Sequence, residues 1–276
     1  MTIRGRKYAV EIFTIIFAAI VSIPLYLVAI NSLKSHEEIV RKPLALPHFT
    51  VGFSNITRAF EKMDIVKSYS TTLSIVVLVI ACGVLLSMLA AYAVSRINQR
   101  PFKVMYWVFL SGILVPIQSA MIPLIFILKT FHLNNTLLGI ALVYTAIVSP
   151  FAIFVFSGFM RTIPRELEEA AFMDGSSLVN TFFRIILPLI KPVTATIIIL
   201  QFMYVWNDML LPLVLLNSQD HPTVSIALYK FFGARGAADL SLLFGGISLA
   251  LLPVIILFLS LQRYFVKGLV AGAVKG

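Results

Sequence analysis

Six long apolar runs decide what this chain can fold into. They cover residues 9–30, 71–94, 104–128, 137–160, 193–216 and 242–266. A helix needs about 20 mostly apolar residues to cross the hydrocarbon core of a bilayer, and each run is long enough. Of the 276 residues, 59% are hydrophobic and 12% are charged, which is about half the charged share of a typical soluble domain. We therefore predict an all-α membrane protein with six transmembrane helices and both termini on one side.

The rest of the composition argues against several other classes. The net charge of +10 is carried by short segments between the apolar runs, as membrane topology produces, so nucleic acid is not an expected partner. Cys82 is the one cysteine, which excludes an internal disulfide, and no Cys/His cluster indicates a metal. The basic start before the 9–30 run resembles a signal peptide. That run is too long and lacks a cleavage pattern, so we expect it to remain as the first span.

The distribution of lysine and arginine predicts the orientation. With six spans, the N terminus, the second and fourth connections and the C terminus share one side. That side carries 13 Lys and Arg residues against 9 on the other. Because cytoplasmic segments carry the excess of positive charge, the bias favours both termini in the cytoplasm.

Prolines occur inside several of the predicted spans. Proline removes a backbone donor and kinks a helix, which a membrane protein tolerates where neighbouring helices satisfy the freed carbonyls. Such kinks either serve packing alone or bend the helices around a path, and the sequence leaves both open. The prolines concerned are Pro24, Pro116, Pro123, Pro150, Pro212 and Pro253.

The connection between the fourth and fifth spans, residues 161–191, predicts a short cytoplasmic helix. Pro164 suits its first turn, and Gly175 suits its end because glycine accepts the left-handed conformation. Ser176 or Ser177 can cap the following helix. Acidic residues complement the positive end of the helix dipole, and three apolar residues share one face. The acids are Glu166, Glu168 and Glu169, and the apolar residues are Leu167, Ala170 and Ala171.

The predicted helix is suited to binding another protein. Small side chains allow a partner surface to approach closely, and the flanking carboxylates offer it directional contacts. The alternative is an amphipathic helix that lies on the membrane, but such helices favour basic faces and bulky apolar residues.

The same segment carries a resemblance to a known family. Its signature residues are Glu169-Ala170-Ala171, then Gly175 after three residues, Ile185 after nine more, and Leu187-Pro188 after one more. At every one of these positions the segment resembles the EAA loop of ABC importer permeases. Other segments are similar to the carbohydrate-uptake branch of that family, the maltose or multiple-sugar type. These segments are Ser32-Leu33-Lys34, Asn55, Ala59-Phe60, Ala91-Tyr92-Ala93, residues 133–136, Trp206-Asn207-Asp208 and residues 262–276.

The resemblance implies a fold and a domain organisation. The fold is that of type I ABC importer permeases, a five-helix core plus an N-terminal helix. Residues 1–31 are then the N-terminal transmembrane helix and 32–70 the first extracytoplasmic loop. Residues 71–266 form the permease core, which includes the coupling loop 161–191, and 267–276 form a cytoplasmic tail.

The resemblance also implies partners and a location. The chain is expected in the plasma membrane of a bacterium or archaeon, with a second permease subunit, two cytoplasmic ATPase subunits and an extracytoplasmic solute-binding protein. The resemblance favours a different chain over a second copy as the other permease. No Gly-x-x-x-x-Gly-Lys-Ser/Thr motif occurs, so the partners are expected to bind ATP and this chain needs no cofactor. The expected ATPase-coupling residues are Leu167, Glu169, Ala170, Ala171, Asp174 and Gly175.

Polar residues within the spans are candidates for a translocation path. Asp208 is the one carboxylate deep in a predicted span, where a charge costs about 2.5–3.5 kcal/mol on insertion scales and should face protein or water. It either lines the path or fixes the fifth span through an interhelical hydrogen bond. Asn207, Gln118 and Tyr204 are the other candidates. Gln201 and Asn207 are six residues apart, so spacing alone defines no continuous polar path.

The last outer loop, residues 217–239, is expected to contact the binding protein. It follows a core span, and its glycines suit a flexible probe. The residues expected to make the contact are Gly233, Ala234 and Gly236.

The sequence therefore favours a non-enzymatic transport subunit for a sugar or oligosaccharide. A permease for glycerol phosphate or another small polar solute remains an alternative. An ion-coupled secondary carrier would be expected to hold several intramembrane ionisable groups and internal repeats, and neither is found. An intramembrane enzyme would need a catalytic cluster at one depth, and only Asp208 offers itself.

Overall fold

The chain is helical throughout the part that the computed structural model describes, residues 3–48, 51–232 and 239–273, and no strand occurs there. The helices are α1 Ile3–Asn31, α2 His36–Arg41, α3 Ser54–Lys62, α4 Ile65–Arg96, α5 Arg100–Ser111, α6 Ile117–Thr130, α7 Leu137–Met160, α8 Glu166–Met173, α9 Leu178–Thr181, α10 Leu187–Leu189, α11 Lys191–Asn207, α12 Leu210–Leu215, α13 Val224–Tyr229 and α14 Leu240–Ala273. Single 3₁₀ turns lie at Gly112–Leu114 and Lys230–Phe232, and a π-helical turn lies at Phe182–Ile186.

Among the described helices, four are long and apolar enough to cross a membrane unbroken. They are Val10–Asn31, Ile65–Arg96, Leu137–Met160 and Leu240–Gln262. Two further pairs meet the same test only when each is taken together, namely Arg100–Leu114 with Ile117–Thr130 and Leu178–Leu189 with Lys191–Asn207. The all-helical prediction is confirmed, and the six spans are reached if each bent pair counts as one.

The third predicted span, residues 104–128, is not one helix. Helices α5 and α6 meet at an angle of 106°. Val115 and Pro116 between them are extended, with ψ of 114° and 121°. Proline pushes the preceding residue out of the helical region and has no amide hydrogen to donate. Pro116 therefore ends the first helix and stands as the N-cap of the second.

The fifth predicted span, residues 193–216, is also interrupted. Helix α11 ends at Asn207, Asp208 is extended with ψ of 129°, and α12 begins at Leu210. The Asp208 carboxylate accepts hydrogen bonds from the amides of Leu210 and Leu211 at 3.0 and 3.2 Å. Aspartate suits the segment just before a helix because its side chain can accept from the free amides at the helix start. The residue that the sequence singled out as a buried charge is thus the point where the helix breaks.

By contrast, Pro24, Pro150 and Pro253 lie inside continuous helices. The predicted fourth span, Leu137–Met160, has the bounds found for α7. Proline therefore breaks the helix at Pro116 but not at these three positions. At the other break, the Asp208 side chain accepts from the Leu210 and Leu211 amides, which have no backbone partner at the helix start.

The chain divides into two compact units, one of Met1–Ile65 and Ala227–Leu252 and the other of Val66–Ile226 and Pro253–Gly276. In the first unit, Lys34 is fully buried. Its ammonium group donates to Asn31 Oδ1 and to the carbonyls of Lys42 and Pro43, at 3.0, 3.0 and 3.1 Å. Burial lowers the pKa of Lys34. Burying an ammonium group without a carboxylate beside it costs free energy. The three oxygens reduce this cost because each accepts from one of its three N–H groups.

Asn55 completes this arrangement within the same unit. Its side-chain amide donates to the carbonyls of Ser32 and Lys34, at 3.1 and 2.8 Å. Helix α14 then passes directly over the Asn55 backbone at Gly245. A Cβ atom at Gly245 would lie 2.5 Å from the Asn55 carbonyl oxygen. The close approach therefore requires glycine at this position.

We predict that Gly245→Ala lowers the stability of the protein, because its Cβ collides with backbone that cannot rotate away. Overpacking of this kind typically costs about 1–3 kcal/mol. Gly158→Ala is the matched control, since Gly158 is also helical and has nothing within 4 Å of its Cβ position. Alanine there should be neutral or stabilising. Thermal unfolding of the purified proteins in detergent measures both, and equal midpoints would contradict the packing described for Gly245.

Candidate functional site

Helix α8 ends at Gly175, as the sequence predicts. Gly175 has φ of +80°. Its amide donates to the Phe172 carbonyl at 3.0 Å, and the Ser176 amide donates to the Ala171 carbonyl at 2.9 Å. These two bonds form a Schellman motif, which satisfies the last carbonyls of the helix. The direction in which the chain leaves α8 is therefore set by a backbone conformation that other residues adopt only with strain.

The capping residues on both sides of α8 are also defined. Arg165 is the N-cap of α8, and Pro164 lies one residue before it rather than in the first turn. Of the two serines considered for the next helix, Ser177 is the cap, since its hydroxyl accepts from the Asn180 amide at 3.3 Å.

The buried face of α8 differs from the predicted one. Glu168 and Ala171 are the buried residues of the helix, 6% and 9% exposed. Leu167, Glu169 and Ala170 are exposed. The expected exposed stripe of Leu167, Ala170 and Ala171 is therefore wrong for Ala171, which lies on the same side as Glu168 and packs into its own chain.

Glu168 is buried because it has partners at the end of α4. The Tyr92 hydroxyl donates to Glu168 Oε2 at 2.7 Å. Arg96 forms an ion pair with Oε1 at 2.5 Å, with both side chains largely buried. We call Tyr92, Arg96 and Glu168 the Glu168 triad. Sequence reasoning assigned Glu168 only to the helix dipole and missed its partners. The available signal was a tyrosine and an arginine four residues apart at the end of the second span, on the same predicted side as this loop.

Further contacts spread the triad through the loop. Arg96 also donates to the Ile163 carbonyl, and Arg165 donates to the Arg96 carbonyl, both at 3.3 Å. The Tyr92 ring packs on Phe182 with centroids 5.2 Å apart. These contacts therefore hold α8 against the end of α4. They also attach the segment before α8 and the turn after α9 to the same place. Removing one partner of such a buried pair typically costs about 3–5 kcal/mol.

The four predicted path residues come together in one cavity. Gln118 of α6 and Tyr204, Asn207 and Asp208 at the end of α11 line a space of about 320 Å³. Its other walls are Ile117, Met203, Leu210 and Leu211. We call this space the Asp208 cavity. The break before α6 and the break after α11 both border it. The sequence predicted a kink at Pro116 but no break at Asp208, and the two together form walls of the cavity.

Asp208 also makes the interhelical hydrogen bond that the sequence offered as its alternative role. The Tyr144 hydroxyl of α7 donates to Asp208 Oδ2 at 2.8 Å. The Ser225 hydroxyl donates to the Asp208 backbone carbonyl at 2.8 Å. The carboxylate therefore joins α11, α12 and α7 and borders the cavity at the same time. The two roles do not exclude each other.

The described part of the loop 217–239 is hydrogen-bonded to the connection before α7. The Asn217 amide donates to Asn135 Oδ1 at 2.7 Å, and Asn135 Nδ2 donates to Asp220 Oδ2 at 3.2 Å. Gly233, Ala234 and Gly236, the expected binding-protein contacts, lie outside the described residues. Within residues 3–48, 51–232 and 239–273, no group of three His, Cys, Asp or Glu side chains could hold a metal ion.

Comparison with known proteins supplies a family and relatives. Residues 83–270 match the family model described as "Binding-protein-dependent transport system inner membrane component". The chain is 34% identical, over 99% of both chains, to the melibiose/raffinose/stachyose import permease protein MelC of Bacillus subtilis (strain 168). It is 32% identical, over 98% of its length and 97% of the relative, to the probable starch degradation products transport system permease protein AmyC of Thermoanaerobacterium thermosulfurigenes.

A solved structure agrees with the fold. It is a chain of a bacterial ABC transporter involved in the import of the acidic polysaccharide alginate, with a TM-score of 0.78. The match covers 96% of this chain and 99% of that one at 21% sequence identity. The likeness extends over the whole length of both chains and concerns the fold alone.

We predict that Glu168→Gln destabilises the protein by about 3–5 kcal/mol, because it leaves the Arg96 guanidinium buried without a carboxylate. Tyr92→Phe should cost less, about 1.5–3 kcal/mol, since it removes one hydrogen bond to a charged group. Glu169→Gln is the control, because Glu169 is exposed on the same helix. The measurement is the thermal midpoint in detergent. A midpoint for Glu168→Gln equal to that of Glu169→Gln would show that the triad does not hold the loop.

Proposed function

Since this chain belongs to the family of binding-protein-dependent transport system inner membrane components, we propose that it forms half of the translocation path of an ATP-driven importer for a sugar or oligosaccharide. The observation that carries the proposal is helix α8, a short exposed helix fixed to the transmembrane core by a buried ion pair. Such a helix can transmit a push from a partner to the spans. A second permease, two ATPase subunits and a solute-binding protein complete the proposed assembly.

The exposed face of α8 supports the proposal that the ATPase docks there. Leu167 and Met173 are 45% and 88% exposed, and Leu178 of α9 is 60% exposed. Large exposed apolar side chains rimmed by polar groups mark protein interaction sites. Glu169 and Asp174 are also exposed there and supply negative charge. Of the expected coupling residues, Leu167, Glu169, Ala170 and Asp174 are proposed to touch the ATPase, whereas Ala171 and Gly175 set the shape of the helix.

The Asp208 cavity supports a polar, uncharged solute. Tyr204 offers a ring for the apolar C–H face of a sugar, and the carboxamides of Gln118 and Asn207 both donate and accept hydrogen bonds. The Asp208 carboxylate would repel a phosphate ester or another anion. The relatives named for melibiose, raffinose, stachyose and starch products point the same way. We propose that Gln118, Tyr204, Asn207 and Asp208 line the path.

The coupling role predicts that Glu169→Lys and Ala170→Trp abolish transport while leaving the fold intact, because both positions are exposed. The ATPase should no longer co-purify with the permease, or should hydrolyse ATP without responding to loaded binding protein. Loss of one partner of a charge pair at such an interface can cost about 2–5 kcal/mol. Glu61→Lys, an equal charge reversal at an exposed residue of the first outer loop, is the control and should behave as wild type.

The same vesicles test the function itself. The complete transporter should accumulate radiolabelled raffinose or melibiose only when ATP reaches the ATPase. Uptake that persists without ATP and follows an ion gradient would indicate a secondary carrier. Uptake of glycerol phosphate in place of either sugar would assign the other solute class. Wild-type ATPase binding by both Glu169→Lys and Ala170→Trp would remove α8 from the coupling interface.

The proposed orientation places both termini in the cytoplasm. His36 and Gln99 are exposed, and neither side chain makes a capping hydrogen bond. In a Cys82→Ser background, His36→Cys should react with a membrane-impermeant maleimide in intact cells or spheroplasts. Gln99→Cys should react only after permeabilisation. The reverse pattern would invert the topology.

A further inference from the structure

A buried carboxamide in α11 has no hydrogen-bond partner. Gln201 is 3% exposed, and neither its Oε1 nor its Nε2 atom is bonded within the chain. An unbonded buried amide is unfavourable, and native proteins avoid it unless something else supplies the partner. Within a membrane the penalty is higher, because no bulk water reaches the group. A residue of this kind is therefore expected to meet a partner that comes from outside the chain.

Gln201 borders an apolar cavity of about 290 Å³ between α7 and α11. Its other walls are Ile147, Val148, Phe151, Ala152, Ile197, Leu200 and Tyr204. We call this space the Gln201 cavity. Small-molecule sites have this composition, mostly apolar and aromatic walls with a few polar groups that fix orientation.

The Gln201 cavity adjoins the Asp208 cavity through one shared residue. Tyr204 lines both spaces. Gln201 and Tyr204 are three residues apart on α11 and so lie on the same helix face. A solute that leaves the Asp208 cavity along α11 would pass the Tyr204 ring and reach the Gln201 carboxamide next. Gln201 and Asn207 are six residues apart, so spacing alone defined no continuous polar path. Tyr204 lies between them and lines both cavities.

The helix opposite leaves room for the carboxamide. Gly83 of α4 faces Gln201, and a Cβ atom there would lie 3.2 Å from Oε1 and 3.4 Å from Nε2. The distance to Oε1 is tighter than ordinary contact, so a larger residue at Gly83 would press on the carboxamide oxygen. Glycine at this position keeps Gln201 in place beside the cavity.

We propose that the Gln201 cavity is a second binding position for the transported solute, reached after the Asp208 cavity, in which Gln201 hydrogen-bonds a sugar hydroxyl. This inference rests on the proposed function. The carboxamide can donate to and accept from hydroxyl groups, while Phe151 and Tyr204 face the apolar side of the sugar ring. A single polar group holds the solute weakly, which suits a path that must release what it binds.

The test compares three variants in vesicles that contain the complete transporter. Gln201→Met keeps the length of the side chain and removes its polarity. Raffinose or melibiose uptake should fall at least tenfold, while ATP hydrolysis stimulated by loaded binding protein stays within twofold of wild type. Gln201→Asn keeps the carboxamide and should retain an intermediate rate. Gly83→Ala should lower uptake less than Gln201→Met but with the same unchanged ATP hydrolysis, since its Cβ presses on the carboxamide oxygen. Ile199→Met, on α11 but outside both cavities, is the matched control and should transport normally.

Other results would overturn the proposal. Wild-type uptake by Gln201→Met, with an unchanged or higher thermal midpoint, would make Gln201 a merely tolerated buried amide. Dissociation of the two permeases in Gln201→Met would mean that the carboxamide bonds the second permease instead of solute. Both results leave the proposed importer function standing. Wild-type vesicles that take up no mono- or oligosaccharide in the presence of ATP would contradict the proposed function, and the second position with it.

Discussion

The need to pair every backbone polar group inside a bilayer governs this structure. Lipid offers no hydrogen bonds, so buried peptide groups must find partners within the protein, and helices provide them. Where a helix stops at depth, a side chain must take over. Asp208 does so by accepting from the amides of Leu210 and Leu211. The break in turn lets α11, α12 and α6 surround a cavity, which is the space proposed for the solute.

Charged side chains at the ends of the spans also need partners when they are buried. A buried Glu168 requires partners, and Arg96 and Tyr92 provide them and attach α8 to the end of α4. The exposed face of α8 is then free for a partner. A loop held by apolar packing alone could slide, because such contacts are non-directional. An ion pair and a hydrogen bond fix its angle as well as its position, which the proposed docking role of α8 requires.

The two cavities along α11 differ in chemistry and share one aromatic ring. The Asp208 cavity has a carboxylate and two carboxamides, and the Gln201 cavity has one carboxamide in apolar walls. A solute that moves between them would exchange several hydrogen bonds for one. In the proposed path, the solute would therefore be held more strongly in the Asp208 cavity than in the Gln201 cavity. It also places the most selective contacts where Tyr144 already fixes the carboxylate geometry.

Local features were determined by the sequence alone. The apolar runs predict the spans, and the bounds of α7 follow from its run. Gly175 and Ser177 define helix ends because their preferences act within a few residues. The buried side of α8 was decided only by tertiary structure, since Glu168 lies 76 residues from Tyr92. The break at Asp208 likewise involves a distant partner, for Tyr144 is 64 residues from Asp208. Pro116 predicts a kink locally, but not its angle of 106°. An apolar run predicts that a segment lies in lipid. Neither its period nor its length predicts which side chain, distant in sequence, will contact it.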